Sequence, residues 1–325
     1  MDSPTDIHTL DSIVINDKGD KLTFLDSGAP SVSAEPYTTI IAVHGMGFTA
    51  YTFKHMLSRA HAANIRVVAV NRRPYAGSTP LALEEEAKAT TGSDRDKEEY
   101  LNARGVELAT FIDLFIQKNE LPPADIDGKN GGVVLLPWSS GHGVVFSAIA
   151  NLETLPGATQ LRLSAYIRRT ILFEPPSTIA GLPIPPSTWS HHIDTSVPEE
   201  KRYYVPSISR VPTIYNMTTA DIAEILDESV DEMTGMFAMI PQALAIYRKA
   251  CFDRATRARL PKMTMHLLCG EHAPSYSFAA MWDMEDDSKA HGGNLMTFEI
   301  IPGCNHFMQW DEPDLFVKAC RDALN

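Results

Sequence analysis

The chain has 325 residues, 44% hydrophobic and 21% charged, with a formal net charge of −13. That length buries a large core, either as one α/β domain with an insertion or as two domains. The acidic balance and the lack of any long basic run exclude a nucleic-acid partner, and no stretch approaches the roughly 18 apolar residues of a membrane span.

The polar opening MDSPTDIHTLDS has neither the charged start nor the apolar core of a secretory signal. Cys251, Cys269, Cys304 and Cys320 have neither CxxC nor metal-ligand spacing, so reduced thiols in a cytoplasmic protein are expected. The acidic runs Glu84 to Glu86, Asp94 to Glu99 and Glu285 to Asp287 read as solvated surface.

HTLDSIVI and KLTFLD, split by the Asn16 to Asp20 turn, predict an antiparallel hairpin. Thr38 to Val43 is an apolar strand ending in His44, Gly45, Met46 and Gly47, and a helix-like stretch follows. Ile65 to Val70 is a second such strand, running into NRRPYAGST. Asp96 to Asn119 carries apolar residues at spacings of three and four, the signature of a long helix packed on a sheet. Val133 to Leu136 and Thr170 to Phe173 are further buried strands. This alternation predicts parallel strands joined by crossover helices, a doubly wound sheet. From Pro175 to Pro261 no strand is visible and the pattern turns helical, which predicts an inserted cap over residues 175–261, with a core of residues 1–174 and 262–325. The strands resume at Met263 to Cys269 and Leu295 to Ile301, and Pro313 to Leu324 closes the chain as a helix.

The chemistry centres on GGVVLLPWSSGHG, residues 131–143. A strand, a tight turn carrying serine and a helix make a nucleophile elbow, which lifts one hydroxyl clear of the sheet. Ser139 has Pro137 and Gly141 two residues to either side, whereas Ser140 has Trp138 and His142. Bulky flanks collide with the strand and helix of so tight a turn, which favours Ser139, although Pro137 departs from GxSxG. His306, in the loop after the last strand, is the candidate base, since the carboxyl ends of strands carry the ligand contacts of an α/β fold. The backbone N–H groups of Ser140 and Met46 are candidate oxyanion donors, with Gly45 and Gly47 allowing close approach. His44 and His142 read as structural, and Arg72, Arg73 and Tyr75 either line the pocket or tie the loops together.

HGMG, NRRPYAGST, PWSSG and PGCNHFMQWDEPDLF, in that order, resemble the landmarks of the α/β-hydrolase superfamily over nearly the whole chain except the cap. The resemblance implies a mostly parallel eight-stranded sheet and a catalytic triad. In most of that superfamily the acid lies three residues after the glycine closing the penultimate strand; here that glycine is Gly270 and the position is Ala273. Some branches, the fungal zearalenone lactonases among them, take the acid from the end of the strand after the nucleophile, within His-Glu-Pro-Pro. This chain has Phe173, Glu174, Pro175 and Pro176 there and shares that branch's Ser-Ser-Gly. Glu174 is therefore the expected acid, with Glu271 the runner-up and Asp283 and Glu285 unplaced.

The expectation is an esterase or lactonase working through an acyl-enzyme on a small, largely apolar substrate, with no organic cofactor or metal and no nucleic-acid or membrane partner; a homodimer is left open. Trp138, Tyr75, Trp189, Met236, Phe237 and Phe307 are the candidate pocket residues, with Tyr203, Tyr204, Met233 and Met239 as further cap residues that wall the pocket or pack the cap. Carbon–carbon bond hydrolysis or a lyase or cyclase step on the same scaffold is the alternative, and a non-catalytic ligand-binding member of the fold is the second.

Overall fold

Short apolar runs rich in β-branched residues pair most stably where both sheet faces are covered, and that is where the central strands lie. In the computed structural model, which describes residues 9–31, 36–183 and 213–324, an eight-stranded sheet has the order β1-β2-β4-β3-β5-β6-β7-β8. The strands are β1 (Asp11–Val14), β2 (Lys21–Asp26), β3 (Thr38–Val43), β4 (Ile65–Asn71), β5 (Val133–Pro137), β6 (Ile167–Phe173), β7 (Thr264–His272) and β8 (Met296–Asn305). The β1–β2 and β2–β4 pairs are antiparallel; from β4 onward all neighbours are parallel. The doubly wound, mostly parallel sheet read from the sequence is the one observed.

Every residue of β3, β4 and β5 is buried. Alternate side chains feed two separate cores. Ile41, Val68 and Leu135 pack toward one face, while Ile40, Val67 and Val134 pack toward the other. The helices divide accordingly. On the second face lie the short α1 (Lys54–Leu57) and the C-terminal helix, with Met56, Leu57, Phe316 and Cys320 in its core. On the first face lie α2 (Leu83–Thr90), α3 (Asp94–Asn119), α4 (Gly141–Ala150) and α5 (Gly157–Tyr166), with Leu108, Ile112 and Phe146 in its core.

The helical segment after β6 contains α6 (Thr219–Ile225), α7 (Glu232–Ala238), α8 (Ile240–Phe252) and α9 (Arg254–Arg259). Its parts pack differently. α6 is tied to the loop after β3, where Thr49 N–H donates to the Ile225 carbonyl (2.9 Å) and Lys54 bridges to Asp221 (2.5 Å) and Glu224 (2.9 Å). α8 instead joins the α3/α4 core through Ile246, Tyr247, Ala250 and Cys251. After β7 come α10 (Ser275–Ala290), then β8, α11 (Met308–Asp311) and α12 (Pro313–Asp322).

β6 begins earlier than its apolar run because Arg168 is buried inside it. The guanidinium donates to the Gly131 and Gly128 carbonyls (2.9 and 2.8 Å) and to Thr38 Oγ1 (2.9 Å), so the strand carries a charge that a periodicity reading counts as a stop. Two acidic runs open helices: Glu84, Glu85 and Glu86 in the first turn of α2, and Asp94 and Asp96 in that of α3, where the helix dipole favours negative charge. Among the described residues no helix is long and apolar enough to cross a membrane.

Helices α3 and α4 meet backbone to backbone at Gly105. A Cβ there would lie 2.3 Å from the Ser147 carbonyl carbon, so the two axes must separate to admit it. Gly105→Ala is expected to lower stability by about 1–3 kcal/mol, as overpacked interiors do, read as a lower urea midpoint. Gly157→Ala, at a position with open space around its built Cβ, should leave that midpoint unchanged.

Candidate active site

The turn after β5 is strained in the way an elbow requires. Ser139 has φ 52°, a left-handed conformation that an L-residue adopts at a cost of about 1–3 kcal/mol and that concentrates at functional sites. Backbone bonds hold it there: Trp138 N–H donates to the Val43 carbonyl (2.9 Å) and Ser139 N–H to the Phe173 carbonyl (3.1 Å). His142 Nδ1–H donates to the Ser139 carbonyl (2.6 Å). A Cβ on Gly141 would sit 2.4 Å from the Val43 oxygen, which is the physical reason for glycine two residues after Ser139.

One strand over, Glu174 is left-handed too, with φ 51°, and fully buried. Its N–H donates to the Leu268 carbonyl (3.0 Å), Oε1 accepts from Gly270 N–H (2.7 Å), and Oε2 is hydrogen-bonded to His306 Nδ1. With Nδ1 committed to the carboxylate, the ring directs Nε2 to its other side. The His306 loop is pinned: the Trp138 indole N–H donates to the His306 carbonyl (2.9 Å), and the Trp138 and His306 rings lie 5.1 Å apart. Asn305 donates to Thr213 Oγ1 (2.9 Å) and Asp311 (2.8 Å). Glu271 accepts from Gly303 N–H (2.8 Å) and so closes the β8 turn, while Glu285 pairs with Lys289 on α10. Asp283 also lies on α10.

The loop after β3 lies against the elbow. A Cβ on Gly45 would be 3.1 Å from Ser139 Cβ. The Gly45 carbonyl accepts from His44 Nδ1–H (2.8 Å) and Arg72 Nη2–H (3.2 Å). His44 Nε2 accepts from the Arg72 backbone N–H (3.2 Å), so this imidazole is neutral; burial and then Arg72 hold its pKa well below the ordinary histidine range. Tyr75 Oη accepts from Gly47 N–H (3.0 Å), and its O–H donates to Glu232 on α7 (2.8 Å). Arg72 grips the same carboxylate with both Nη atoms (2.5 and 3.0 Å).

A cavity of about 480 Å³ opens beside Met46 and Ser140, with Met236 and Met239 on its far wall and Tyr100 and Arg104 from α3. Its arginines are matched by carboxylates: Arg72 by Glu232, Arg73 by Glu85 and Glu107, and Arg104 by the same two. The wall therefore has no surplus positive charge. Tyr100 O–H has no hydrogen-bond partner among the described residues, and burial pushes its pKa up to about 12, so it stays a proton donor at neutral pH.

Several expected pocket residues lie elsewhere. Trp138 is fully buried beneath Phe48 and Phe53, and Tyr75 is buried in the loop network rather than lining the cavity. Phe307 packs on Trp138 and Phe48. Phe237 and Met233 face outward, 46% and 49% exposed, because α7 turns Gly235 and Met236 to the cavity, with Met239 following just after it. Of the expected residues Met236 and Met239 line it, as do Arg72 and Arg73; Trp189, Tyr203 and Tyr204 lie outside the described residues. Tyr100, Arg104 and Glu232 were missed, the first two because they sit on a helix whose start reads as acidic surface. Among the described residues no group of three or more His, Cys, Asp or Glu side chains is placed to hold a metal ion.

Residues 40–319 match the model of the alpha/beta hydrolase family. The chain belongs to that family. No curated protein matches this alpha/beta hydrolase in sequence. An esterase from Exiguobacterium antarcticum is similar in structure, at 16% identity and TM-score 0.51, covering 97% of this chain and 98% of that one. So is an esterase from Thermogutta terrifontis, at 16% and 0.52 over 97% and 98%. The haloalkane dehalogenase DatA from Agrobacterium tumefaciens superposes as well, at 14% and 0.51 over 98% and 97%. These likenesses carry the fold.

Two buried imidazoles set an acid limit on stability. Burial lowers His142 to about 3, and His44 is lowered as well. Below about pH 6.5 the unfolded chain protonates both while the folded protein does not, so stability is expected to fall as pH drops from about 6.5 toward 3, by up to about 1.4 kcal/mol per pH unit for each ring. Urea midpoints measured across that range check it. His142→Gln, which cannot titrate, should make the slope shallower.

Proposed function

We propose that this alpha/beta hydrolase is a serine hydrolase of esters or lactones, with Ser139 the nucleophile, His306 the general base and Glu174 the acid that orients it. The observation that carries the reading is the buried Glu174–His306 pair against a left-handed serine turn. Ser139 Oγ attacks the carbonyl as His306 Nε2 takes its proton, and the oxyanion is met by the backbone N–H groups of Ser140 and Met46. His306 protonates the departing alcohol, then activates the water that releases the acid. Glu174 accepts the His306 Nδ1–H bond and stabilises the imidazolium.

The cavity takes the apolar part of the substrate against Met236 and Met239, under a helical cap in which we place α6 and α7. Its arginines are all paired and Glu86 and Asp231 add negative charge, which favours a neutral substrate over an anionic one. Tyr100 supplies a donor to an oxygen of the substrate remote from the ester. Lactones fall within the class because the elbow and the Glu174-Pro175-Pro176 segment resemble the zearalenone-lactonase branch. We place the protein in the cytoplasm, with reduced cysteines.

Fluorophosphonate labelling and turnover of p-nitrophenyl butyrate test the reading. The wild type should label, and Ser139→Ala should lose both labelling and turnover. Turnover that persists in Ser139→Ala without labelling would point instead to lyase or carbon–carbon chemistry, and a wild type that neither labels nor turns over would point to a binding protein. Glu174→Gln should lower kcat by about 10³–10⁴, as loss of a triad acid does, while Glu271→Gln stays near wild type.

Tyr100→Phe provides a separate check on the cavity. It should raise KM several-fold for esters with a remote oxygen acceptor, consistent with about 0.5–1.5 kcal/mol for one neutral hydrogen bond, and leave plain alkyl esters unaffected.

A further inference from the structure

The proposed oxyanion donor on the β3 loop is the Met46 N–H, and a peptide unit is planar and trans. The direction of that N–H is therefore fixed by the carbonyl across the same bond, which is Gly45 C=O. Two donors hold this carbonyl, His44 Nδ1–H at 2.8 Å and Arg72 Nη2–H at 3.2 Å. The next peptide carries Gly47 N–H, which is held by the Tyr75 hydroxyl at 3.0 Å. Both lines of support meet on one carboxylate. Glu232 takes both Nη atoms of Arg72 and the proton of Tyr75, so each peptide flanking Met46 is braced from the same side chain.

Glu232 lies on α7, outside the sheet and far along the chain from the loop it braces. Arg72 and Tyr75 are buried. A bidentate guanidinium–carboxylate pair has a fixed plane, so Glu232 sets the orientation of the Arg72 fork as well as neutralising it.

We infer that Glu232 is a positioning residue for the oxyanion loop, acting through Arg72 and Tyr75, so that the donor geometry at Met46 is complete only when α7 is seated. The inference rests on the serine-hydrolase reading above. Seating of α7 thereby couples closure of the cavity wall to the ability to stabilise a tetrahedral intermediate.

The test compares wild type, Glu232→Gln, Glu232→Asp and Tyr75→Phe in the acylation burst with p-nitrophenyl butyrate. Inhibition is measured in parallel with butylboronic acid, which forms a tetrahedral adduct, and with butyrate, which does not. Removing an oxyanion donor outright costs about 10²–10³ in rate, so a misaimed donor is expected to cost about tenfold. Glu232→Gln should slow acylation by about that factor with KM little changed. It should weaken butylboronic acid by the same factor and leave butyrate binding unchanged, and Glu232→Asp should recover part of the loss. Tyr75→Phe, which breaks one brace without stranding a charge, should show a smaller loss of the same pattern and decides the matter if Glu232→Gln does not fold.

Acylation at the wild-type rate in the folded variants would overturn the inference, as would an equal loss of butyrate and boronate affinity, which marks general damage to the site. A wild type that is not acylated at all would overturn the hydrolase reading and this inference together. A wild type acylated on Ser139 with an indifferent Glu232 overturns this inference alone.

Discussion

A carboxylate with no exposed surface needs compensation, because stripping its water costs several kcal/mol unless charge-assisted hydrogen bonds replace it. Glu174 has two such bonds, from Gly270 N–H on β7 and from His306 beyond β8. The arrangement therefore depends on three consecutive parallel strands ending at matched heights. Phe173 pairs with Leu268, and Cys269 and Gly270 pair with Ile300 and Ile301. A slip of one residue in either ladder would turn alternate side chains to the opposite face and leave the carboxylate unpaired.

That register also explains how Glu174, at the end of β6, comes to lie beside the serine turn. The elbow follows β5, and β6 is its neighbour, so Ser139 N–H reaches the Phe173 carbonyl directly (3.1 Å). Two adjacent strand ends each finish in a left-handed residue, Ser139 and Glu174, which lifts both side chains off the sheet at the same edge. Gly270 then serves as a donor to the carboxylate rather than as the landmark before one. No side chain fits at Gly270, since a Cβ would lie 2.5 Å from the Cys304 carbonyl oxygen.

The sheet was legible because its information is local. Runs such as TTIIAV and IRVVAV are too short for helices and apolar on both faces, and each forms the strand its pattern implies. The elbow was legible for a steric reason, the need for glycine at residue 141. Legibility ended where long-range pairing decides the outcome. Arg168 reads as a strand breaker until the Gly128 and Gly131 carbonyls are in place around it, Trp138 reads as a pocket residue until Phe53 closes over it, and Tyr75 reads equally as pocket-liner or loop tie until Gly47 and Glu232 decide for the tie. Met236 and Phe237 are neighbours of similar hydropathy, and the pitch of α7 alone sends one into the cavity and the other to solvent.

Charge is distributed against the average. The chain is acidic overall, yet three arginines are drawn into the wall beside the elbow, each paired with a carboxylate brought by another element. Arg72 faces Glu232 from α7, Arg73 faces Glu107 from α3, where Glu107 also pairs with Arg104 one turn away, and Glu85 from α2 serves both Arg73 and Arg104. Such pairs, half-buried and multiply bonded, contribute less to net stability than to uniqueness of arrangement, because breaking one leaves an uncompensated charge. Their placement makes the β3 loop, the β4 loop and three helices parts of one electrostatic unit. A wall built this way presents a ligand with a fixed set of dipoles and with arginines that are each paired. That physical setting suits the stabilisation of an oxygen that becomes negative only during a reaction.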